Sequence, residues 1–201
     1  MFLPKLREVK EALTSLFSAP YTTRFPKQGF QPAEQYRGLP RYHQDYCVGC
    51  GTCAQVCPAM AITLVDDSKK KTRRLTVDYA SCIQCGQCEE KCITEKGIQL
   101  STEYSLSVMD LQAPEVFEHV EKELAVCEIC GNVIAARDHL LWLKDRLGAK
   151  AYAHPNLLLE TQSRFTHRPD AHVKDHIRRE DQFKLVCPQC RHKTVVADEF
   201  S

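Results

Sequence analysis

The fold is decided by two stretches of sequence, Cys47-Val-Gly-Cys50-Gly-Thr-Cys53-Ala-Gln-Val-Cys57 and Cys82-Ile-Gln-Cys85-Gly-Gln-Cys88-Glu-Glu-Lys-Cys92. Both have the spacing C-x2-C-x2-C-x3-C, and the second begins thirty-five residues after the first. Duplication of a half-domain is the simplest explanation of this repeat. The spacing is typical of proteins that hold two [4Fe–4S] clusters, and zinc sites rarely use three such closely spaced steps.

The repeat also predicts which cysteines share a cluster. A cubane needs four thiolates, and three closely spaced cysteines reach only three of its irons. In two-cluster ferredoxins the fourth cysteine of each run ligates the other cluster. We therefore expect two sets of ligands: Cys47, Cys50, Cys53 and Cys92 for cluster 1, and Cys82, Cys85, Cys88 and Cys57 for cluster 2. The function that these sets indicate is electron transfer.

Two further C-x2-C pairs predict a third metal site. The four cysteines are Cys127, Cys130, Cys187 and Cys190. Together they can supply four sulfurs to one tetrahedral metal ion, and zinc is the expected occupant. Rubredoxin-like mononuclear iron and unmetallated or redox-active thiols are the alternatives. A closed four-cysteine site has no open position for substrate or water, so we expect a structural role.

Composition excludes several classes of function. The chain has 201 residues and a formal net charge of +1, which gives no general preference for nucleic acid. A nucleic-acid-binding zinc ribbon would need a denser basic surface than the C-terminal stretch offers, because acidic residues are interspersed among its basic ones. Those basic residues are Arg164, Arg168, Lys174, Arg178, Arg179, Lys184, Arg191 and Lys193.

No apparatus for chemistry on a small organic substrate is visible in the sequence. It contains no Ser/His/Asp nucleophile set, phosphate-binding glycine loop or Rossmann fingerprint. His172 and His176 are four residues apart and could share a helix face, but nothing nearby completes a metal site. We therefore expect no catalytic residues in this chain, and we interpret the two histidines as exposed.

The twelve cysteines are expected to be reduced metal ligands in a cytoplasm. The N-terminal residues intersperse charges among apolar side chains, unlike a signal peptide. No stretch has the roughly 18 apolar residues of a membrane span.

Four segments are expected along the chain. Residues 1–45 form an amphipathic helix and an extended wrapping segment, and residues 46–101 form the two-cluster domain. Residues 102–126 form a linker and a helix, in which Pro114 starts the helix and Val116, Phe117, Val120 and Leu124 share a face. Residues 127–201 form the four-cysteine domain.

Several secondary-structure elements are predicted within these segments. The N-terminal helix carries its apolar side at Leu3, Leu6, Val9, Leu13, Leu16 and Phe17. That side could face a membrane interface, a partner subunit or the chain's own core. A hairpin is expected with its polar tip at Ser68 to Arg74. A helix is expected from Asp138, as cap, to Leu147, with Gly148 ending it, and strands are expected on either side of Cys187 and Cys190.

The expected fold class is α+β. It comprises a bacterial-type 2[4Fe–4S] ferredoxin domain, an N-terminal amphipathic helix and a C-terminal four-cysteine domain of zinc-ribbon or rubredoxin-like type.

The first 101 residues resemble the ferredoxin-like two-cluster subunit shared by respiratory complex I and membrane-bound [NiFe] hydrogenases. Besides the cysteines, the resemblance includes the N-terminal helix, the T-x-x-F-P segment from Thr22 to Pro26, and Tyr36-Arg37-Gly38. The complex I subunit normally lacks the second group of C-x2-C pairs. The version in formate hydrogenlyase and related energy-converting hydrogenases is similar in having C-x2-C and then C-P-x-C after the clusters.

The resemblance implies a non-catalytic relay subunit, peripheral on the cytoplasmic side of the cell membrane. Its implied partners are the hydrogenase small and large subunits, an electron-donating iron–sulfur or dehydrogenase subunit, and membrane-arm subunits. Enzyme activity would belong to the assembly. The alternatives are a subunit of a complex I-type quinone-linked dehydrogenase, a free soluble dicluster ferredoxin, and a binding module with structural metals.

Overall fold

The computed structural model describes residues 5–19, 22, 27–165 and 179–199. The chain divides into two compact units, Met1–Tyr36 and Arg37–Ser201. The C-terminal residues of the predicted wrapping segment, from 37 onward, therefore group with the cluster motifs.

The first unit contains helix α1, Leu6–Phe17. The backbone N–H of Lys5 donates to Glu8 Oε2 at 3.0 Å, which satisfies a donor at the helix start. Leu6, Val9, Leu13 and Phe17 line one apolar side of α1, at the three- and four-residue spacing that places side chains together on a helix. Leu3 of the predicted apolar side lies outside the described residues. What that side contacts stays a prediction.

The second unit begins with the elements that carry the two cysteine runs. Strand β1, Pro40–Tyr42, pairs antiparallel with β4, Ile98–Leu100, so the two ends of the repeat meet. The short helices α2, Thr52–Val56, and α3, Gln87–Glu90, each begin within a cysteine run. Both follow a glycine in the left-handed region, Gly51 and Gly86, each at φ 81°. This conformation favours glycine because other residues meet a steric penalty there.

A four-stranded antiparallel sheet lies beside these elements in the order β2-β3-β5-β6. Its strands are β2 (Ile62–Asp67), β3 (Thr72–Asp78), β5 (Phe117–Val126) and β6 (Val133–Ala136). The β2–β3 hairpin confirms the predicted hairpin, although its turn is shorter than expected: Arg73 and Arg74 belong to β3 and face Asp66 and Val65. The turn at the tip of the hairpin is stabilised by Asp67 Oδ1, which accepts hydrogen bonds from the backbone N–H groups of Lys69 and Lys70.

The predicted helix in residues 102–126 is wrong. Only Pro114–Val116 is helical, as one turn of 3₁₀ helix, and the chain then enters strand β5. A four-residue apolar spacing fits a helix, but it is also twice the two-residue period of a strand. Val120 and Leu124 are almost completely buried on one side of β5, and Val116 is buried immediately before the strand. Through β5 the sheet joins the cluster segment to the four-cysteine segment within one compact unit.

The C-terminal part is helical. It contains α4 (Arg137–Leu147), a 3₁₀ turn (Gly148–Ala153), α5 (Pro155–Ser163), a 3₁₀ turn (Glu180–Gln182) and α6 (Pro188–Glu199). The predicted helix end at Gly148 is confirmed, since Gly148 has φ +55°. Asp138 does not cap α4. It lies in the first turn, where its carboxylate accepts from Lys122 Nζ at 3.1 Å.

The strands predicted around Cys187 and Cys190 are also absent from the described residues 179–199. Thr194, Val195 and Val196 are β-branched and favour a strand locally. They lie instead in α6, which starts at Pro188, a residue whose fixed φ suits the first helical turn. The Thr194 hydroxyl donates to the carbonyl of Cys190, one turn earlier.

The second unit has separate buried clusters. The largest surrounds the cysteine runs and includes Leu39, Leu75, Val77 and Ile98. Smaller ones lie under α4 and α5 and around Cys127 and Cys187. The architecture is therefore a mixture of helix and sheet, as expected. Among the described residues, no helix combines the length and apolar character needed to cross a membrane.

Candidate metal centres

The first cavity between the cysteine runs is lined by one complete set of predicted ligands. Cys47 and Cys50 lie in the loop after β1, Cys53 lies on α2, and Cys92 comes from the second run after α3. Apolar residues Leu75 and Ile98 line the same cavity. The structure thus brings together the four cysteines assigned to cluster 1.

The second cavity is lined by the other set. Cys82 and Cys85 lie in the loop after β3, Cys88 lies on α3, and Cys57 follows α2 in the first run. The fourth cysteine of each run therefore lies with three cysteines of the other run, the arrangement that a two-cluster ferredoxin requires. Ligation by these cysteines stays a prediction.

The loops around the cysteines are closely packed at glycines. A Cβ on Gly51 would lie 2.6 Å from Leu64 Cδ1, and one on Gly97 would lie 2.8 Å from Thr94 Oγ1 and 3.1 Å from Cys92 Sγ. A side chain at Gly51 would also be strained by its φ of +81°, and one at Gly97 would crowd a cysteine sulfur. Gly97 therefore lets the backbone pass close to Cys92 Sγ.

Hydroxyl groups contact three sulfurs of the first set. Tyr42 Oη lies 3.5 Å from Cys53 Sγ, and Thr94 Oγ1 lies 3.3 Å from Cys92 Sγ. The Cys50 thiol donates to Thr52 Oγ1 at 3.3 Å. Tyr42 can donate its proton to a thiolate, and so can Thr94. Neither residue was predicted from the sequence, although Thr94 occupies a position where the first copy of the repeat has Ala59.

The thiol groups differ in their ease of ionisation. Burial raises the pKa of Cys53 to about 11 and that of Cys88 to about 12. Burial acts in the same direction at Cys92, but the Thr94 hydroxyl and nearby backbone N–H groups outweigh it and lower the pKa of Cys92. Buried thiols with raised pKa values need a cation to become thiolates, which fits metal ligation of these cysteines.

Two cations from the sheet lie against the loop of the first set. Arg73 Nη1 donates to the Gly49 carbonyl at 2.8 Å, and Lys122 Nζ donates to the Gln44 carbonyl at 2.5 Å. Burial raises the pKa of Cys47, and Lys122 partly opposes this effect. This contact could not be predicted from the sequence, because the apolar spacing predicts a helix over the residues that form β5.

The third site has the geometry that its cysteine pairs predict. The sulfurs of Cys127, Cys130, Cys187 and Cys190 all lie within 4.8 Å of one another. Cys127 and Cys130 occupy the turn between β5 and β6, where Gly131 has φ +74°. Cys187 precedes α6, and the backbone N–H of Cys190 donates to Cys187 Sγ at 3.5 Å. The two cysteine pairs, which are separated by 56 residues in the sequence, therefore meet in the folded chain.

The charge balance of this third site favours a bound cation. Burial acts to raise the pKa of Cys127, but the backbone N–H groups of Cys187, Cys130 and Ile129 lower it to about 6. The contact with Cys130, together with burial, raises the pKa of Cys190 to about 12. Cys127 thus forms a thiolate readily. Four adjacent thiolates would repel one another unless a metal ion neutralised their charge.

Some predictions fall outside the described residues. They are the histidine pair, His172 and His176, and the basic residues Arg168, Lys174 and Arg178. Arg179 and Arg191 are described, and both contact the buried carboxylate of Asp181. These two cations therefore have an intramolecular role.

Comparison with known proteins supports the two-cluster interpretation. A family model described as a 4Fe-4S dicluster domain matches residues 33–96, a range that includes all eight cysteines of the repeat. The chain accordingly carries a domain of the kind that holds two [4Fe–4S] clusters.

The chain is also similar to curated proteins. NAD(P)H-quinone oxidoreductase subunit I of Gloeobacter violaceus is 33% identical over 97 residues, which cover 45% of this chain and 46% of that protein. This chain thus spans about half the length of that relative. A chain in the structure of the membrane-bound sulfane sulfur reductase, an archaeal respiratory membrane complex, is 28% identical with a TM-score of 0.41. The match covers 55% of this chain and 59% of that one.

A second curated relative is matched over most of its length. NADH-quinone oxidoreductase subunit I 2 of Geobacter metallireducens is 30% identical over 115 residues, which cover 53% of this chain and 87% of that protein. With its dicluster domain, this chain therefore belongs to the family of NADH-quinone oxidoreductase subunit I.

Proposed function

We propose that this chain is an electron-transfer iron–sulfur subunit of a complex I-like respiratory complex. The observation that carries the proposal is the exchange of the fourth cysteine between the two cavities. Cys92 lies with Cys47, Cys50 and Cys53, and Cys57 lies with Cys82, Cys85 and Cys88. We infer that the first set holds cluster 1 and the second set holds cluster 2.

Each cysteine set would act by holding a cluster in a closed shell of four sulfurs. A bound [4Fe–4S] cluster supplies one-electron chemistry. The thiolates stay bound throughout, while Leu75 and Ile98 help to keep water out of the first cavity. With four protein ligands at each centre, no coordination position is left for a substrate. Catalysis then belongs to other subunits of the assembly.

Cys53 of the first set and Cys88 of the second lie in the same buried cluster. We infer that the two proposed clusters are neighbours, as electron transfer between them requires. Cys57 and Cys92, by crossing over, tie the two centres together. Loss of either cysteine should disturb both ends of the relay.

For the parent complex, we propose a membrane-bound [NiFe] hydrogenase of the formate hydrogenlyase type. The support is the four-cysteine site that follows the cluster domain, with all its sulfurs within 4.8 Å. The partners would be the hydrogenase small and large subunits, an electron-donating iron–sulfur or dehydrogenase subunit, and membrane-arm subunits. The chain would lie peripherally on the cytoplasmic side of the membrane. We propose zinc in the four-cysteine site, with rubredoxin-type iron as the alternative.

A complex I-type quinone-linked dehydrogenase is the second candidate. It is favoured by the names of the curated relatives, which are subunits of quinone oxidoreductases. A free dicluster ferredoxin is a third possibility. It would leave the apolar side of α1 without a role.

Nickel analysis separates these candidates. The tagged chain is purified anaerobically from gently solubilised membranes of its native cell, and the intact assembly is assayed for nickel and hydrogen evolution. Nickel that co-purifies with hydrogen-evolving activity is the expected result. A large nickel-free assembly with quinone-reducing activity would establish the second candidate, and a chain recovered alone would establish the free carrier.

A further inference from the structure

The two cysteine sets differ in the groups that contact their sulfurs. In the first set, hydroxyls of Tyr42 and Thr94 can donate to Cys53 and Cys92, at 3.5 and 3.3 Å. Within the described part of the chain, no side-chain hydroxyl makes such a contact with the second set, Cys57, Cys82, Cys85 and Cys88. The nearest candidate, Ser81, donates instead to Asp78 Oδ2 at 2.7 Å.

The internal repeat shows in its sequence why the two cysteine sets differ in hydroxyl contacts. Thr94 stands two residues after Cys92, and Ala59 stands two residues after Cys57. The two positions are equivalent, since each is the second residue after the fourth cysteine of its run. Because that cysteine crosses over, Thr94 acts on the first set, and Ala59, on the second, has no hydroxyl to offer.

Nearby cations do not separate the two sets. Lys122 and Arg73, beside the first set, are each paired with a carboxylate, Lys122 with Asp138 at 3.1 Å and Arg73 with Asp66 at 2.7 Å. Beside the second set, Arg37 Nη1 donates to the Cys85 carbonyl at 3.4 Å. The difference between the sets therefore rests on the hydroxyl groups.

We propose that the two clusters have unequal reduction potentials, with cluster 1 higher, because Tyr42 and Thr94 donate to its sulfurs while cluster 2 receives no such bond. The inference rests on the ligand sets proposed above. A cluster gains one negative charge on reduction, so hydrogen bonds donated to its sulfurs stabilise the reduced form. An electron shared between the two centres then resides mainly on cluster 1, and transfer from cluster 2 to cluster 1 is downhill.

Redox titration of the full-length holoprotein, followed by electron paramagnetic resonance, tests this inference. The unsubstituted protein should show two separate one-electron steps. Thr94→Ala places the residue of the first repeat copy in the second, and Tyr42→Phe removes only the hydroxyl. Each should shift the higher step downward, lowering the reduced-to-oxidised ratio at that step about tenfold, which is 59 mV for one electron.

A reciprocal variant tests the proposal by adding a hydroxyl group instead of removing one. Ala59→Thr adds a hydroxyl at the equivalent position of cluster 2 and should move the lower step upward, which brings the two steps together. Thr102→Ala, at an exposed threonine, is the matched control and should leave both steps unchanged. A single unresolved step in the unsubstituted protein, or a downward shift of the lower step in Thr94→Ala, would overturn the inference.

Iron and acid-labile sulfide measured on every sample keep this test separate from the proposed function. A chain that binds no sulfide refutes the cluster assignment itself. If a chain has full iron and sulfide and its redox steps are unchanged by all three substitutions, the cluster assignment stands and the role of the Tyr42 and Thr94 hydroxyls in raising the potential of cluster 1 is refuted. If Tyr42→Phe loses iron, the pair Thr94→Ala and Ala59→Thr decides the question.

Discussion

At the scale of single residues, the ion pair between Arg137 and Glu160 neutralises a buried carboxylate. Arg137 Nη1 lies 2.7 and 2.9 Å from the two oxygens of Glu160, whose side chain is 3% exposed. Arg137→Met would leave this carboxylate buried without a cation. We expect the free energy of unfolding to fall by about 3 kcal/mol. Urea unfolding followed by fluorescence of Trp142, the sole tryptophan and a residue of α4, measures the change.

Two further variants control this experiment. Lys144→Met, on the same helix, removes an exposed ion pair with Asp145 and should change stability by less than about 1 kcal/mol. Arg137→Met combined with Glu160→Leu removes both charges and should recover most of the loss. Equal effects of Arg137→Met and Lys144→Met would show that the Glu160 carboxylate does not depend on its partner.

At the scale of secondary-structure elements, strand β5 is the central connection of the second unit. It pairs with β3 on one side and with β6 on the other. Leu124, with 0% exposure, lies on its buried face, so Leu124→Ala should lower the free energy of unfolding by about 3 kcal/mol. Hydrogen exchange should show backbone amides of β5 and β3 losing protection together.

Glu123→Ala is the matched control for that prediction. Glu123 neighbours Leu124 on the opposite face of the strand, and its side chain is 81% exposed. We expect a change of less than about 0.5 kcal/mol and unaltered exchange in β3. Similar exchange behaviour in the two variants would contradict the division of β5 into a buried and an exposed face.

The same strand explains where prediction from sequence succeeded and where it failed. The cysteine spacing predicted the two sets that the structure brings together, because ligand geometry constrains spacing. Apolar spacing alone could not distinguish helix from strand at Val116, Val120 and Leu124. Glu118 and Lys122 lie between them on the buried face, and only partners distant in sequence, Arg41 and Asp138, make those charges tolerable. No local pattern reveals such partners.

The positions of Tyr42 and Thr94 show a second limit of the sequence. The mismatch between Thr94 and Ala59 is visible in the repeat, but its meaning depends on the crossing of Cys92 into the first set. Tyr42 reaches Cys53 only because β1 pairs with β4 at the end of the repeat. Both contacts are products of tertiary structure.

At the scale of the whole molecule, the proposed metal site would hold the C-terminal part together without using any ligand of the cluster sites. It joins the turn after β5 to the start of α6, and Asn156 adds a hydrogen bond from its side chain to the Val186 carbonyl at 2.9 Å. Cys187→Ser removes one sulfur of the site. We expect the purified chain to lose its zinc and keep the iron and sulfide of both clusters, because no cluster ligand belongs to this site.

The reciprocal variant completes that prediction, and metal analysis of the anaerobically purified chains measures both. Cys57→Ser removes a proposed ligand of cluster 2 and should lower iron and sulfide while zinc is retained. Limited proteolysis should then cut Cys187→Ser in the C-terminal part, where the metal no longer links β5 to α6, and leave the cluster segment intact. Joint loss of zinc and cluster iron in Cys187→Ser would contradict this prediction. It would mean that the metal site and the clusters unfold together, through the continuous sheet that contains β3 and β5.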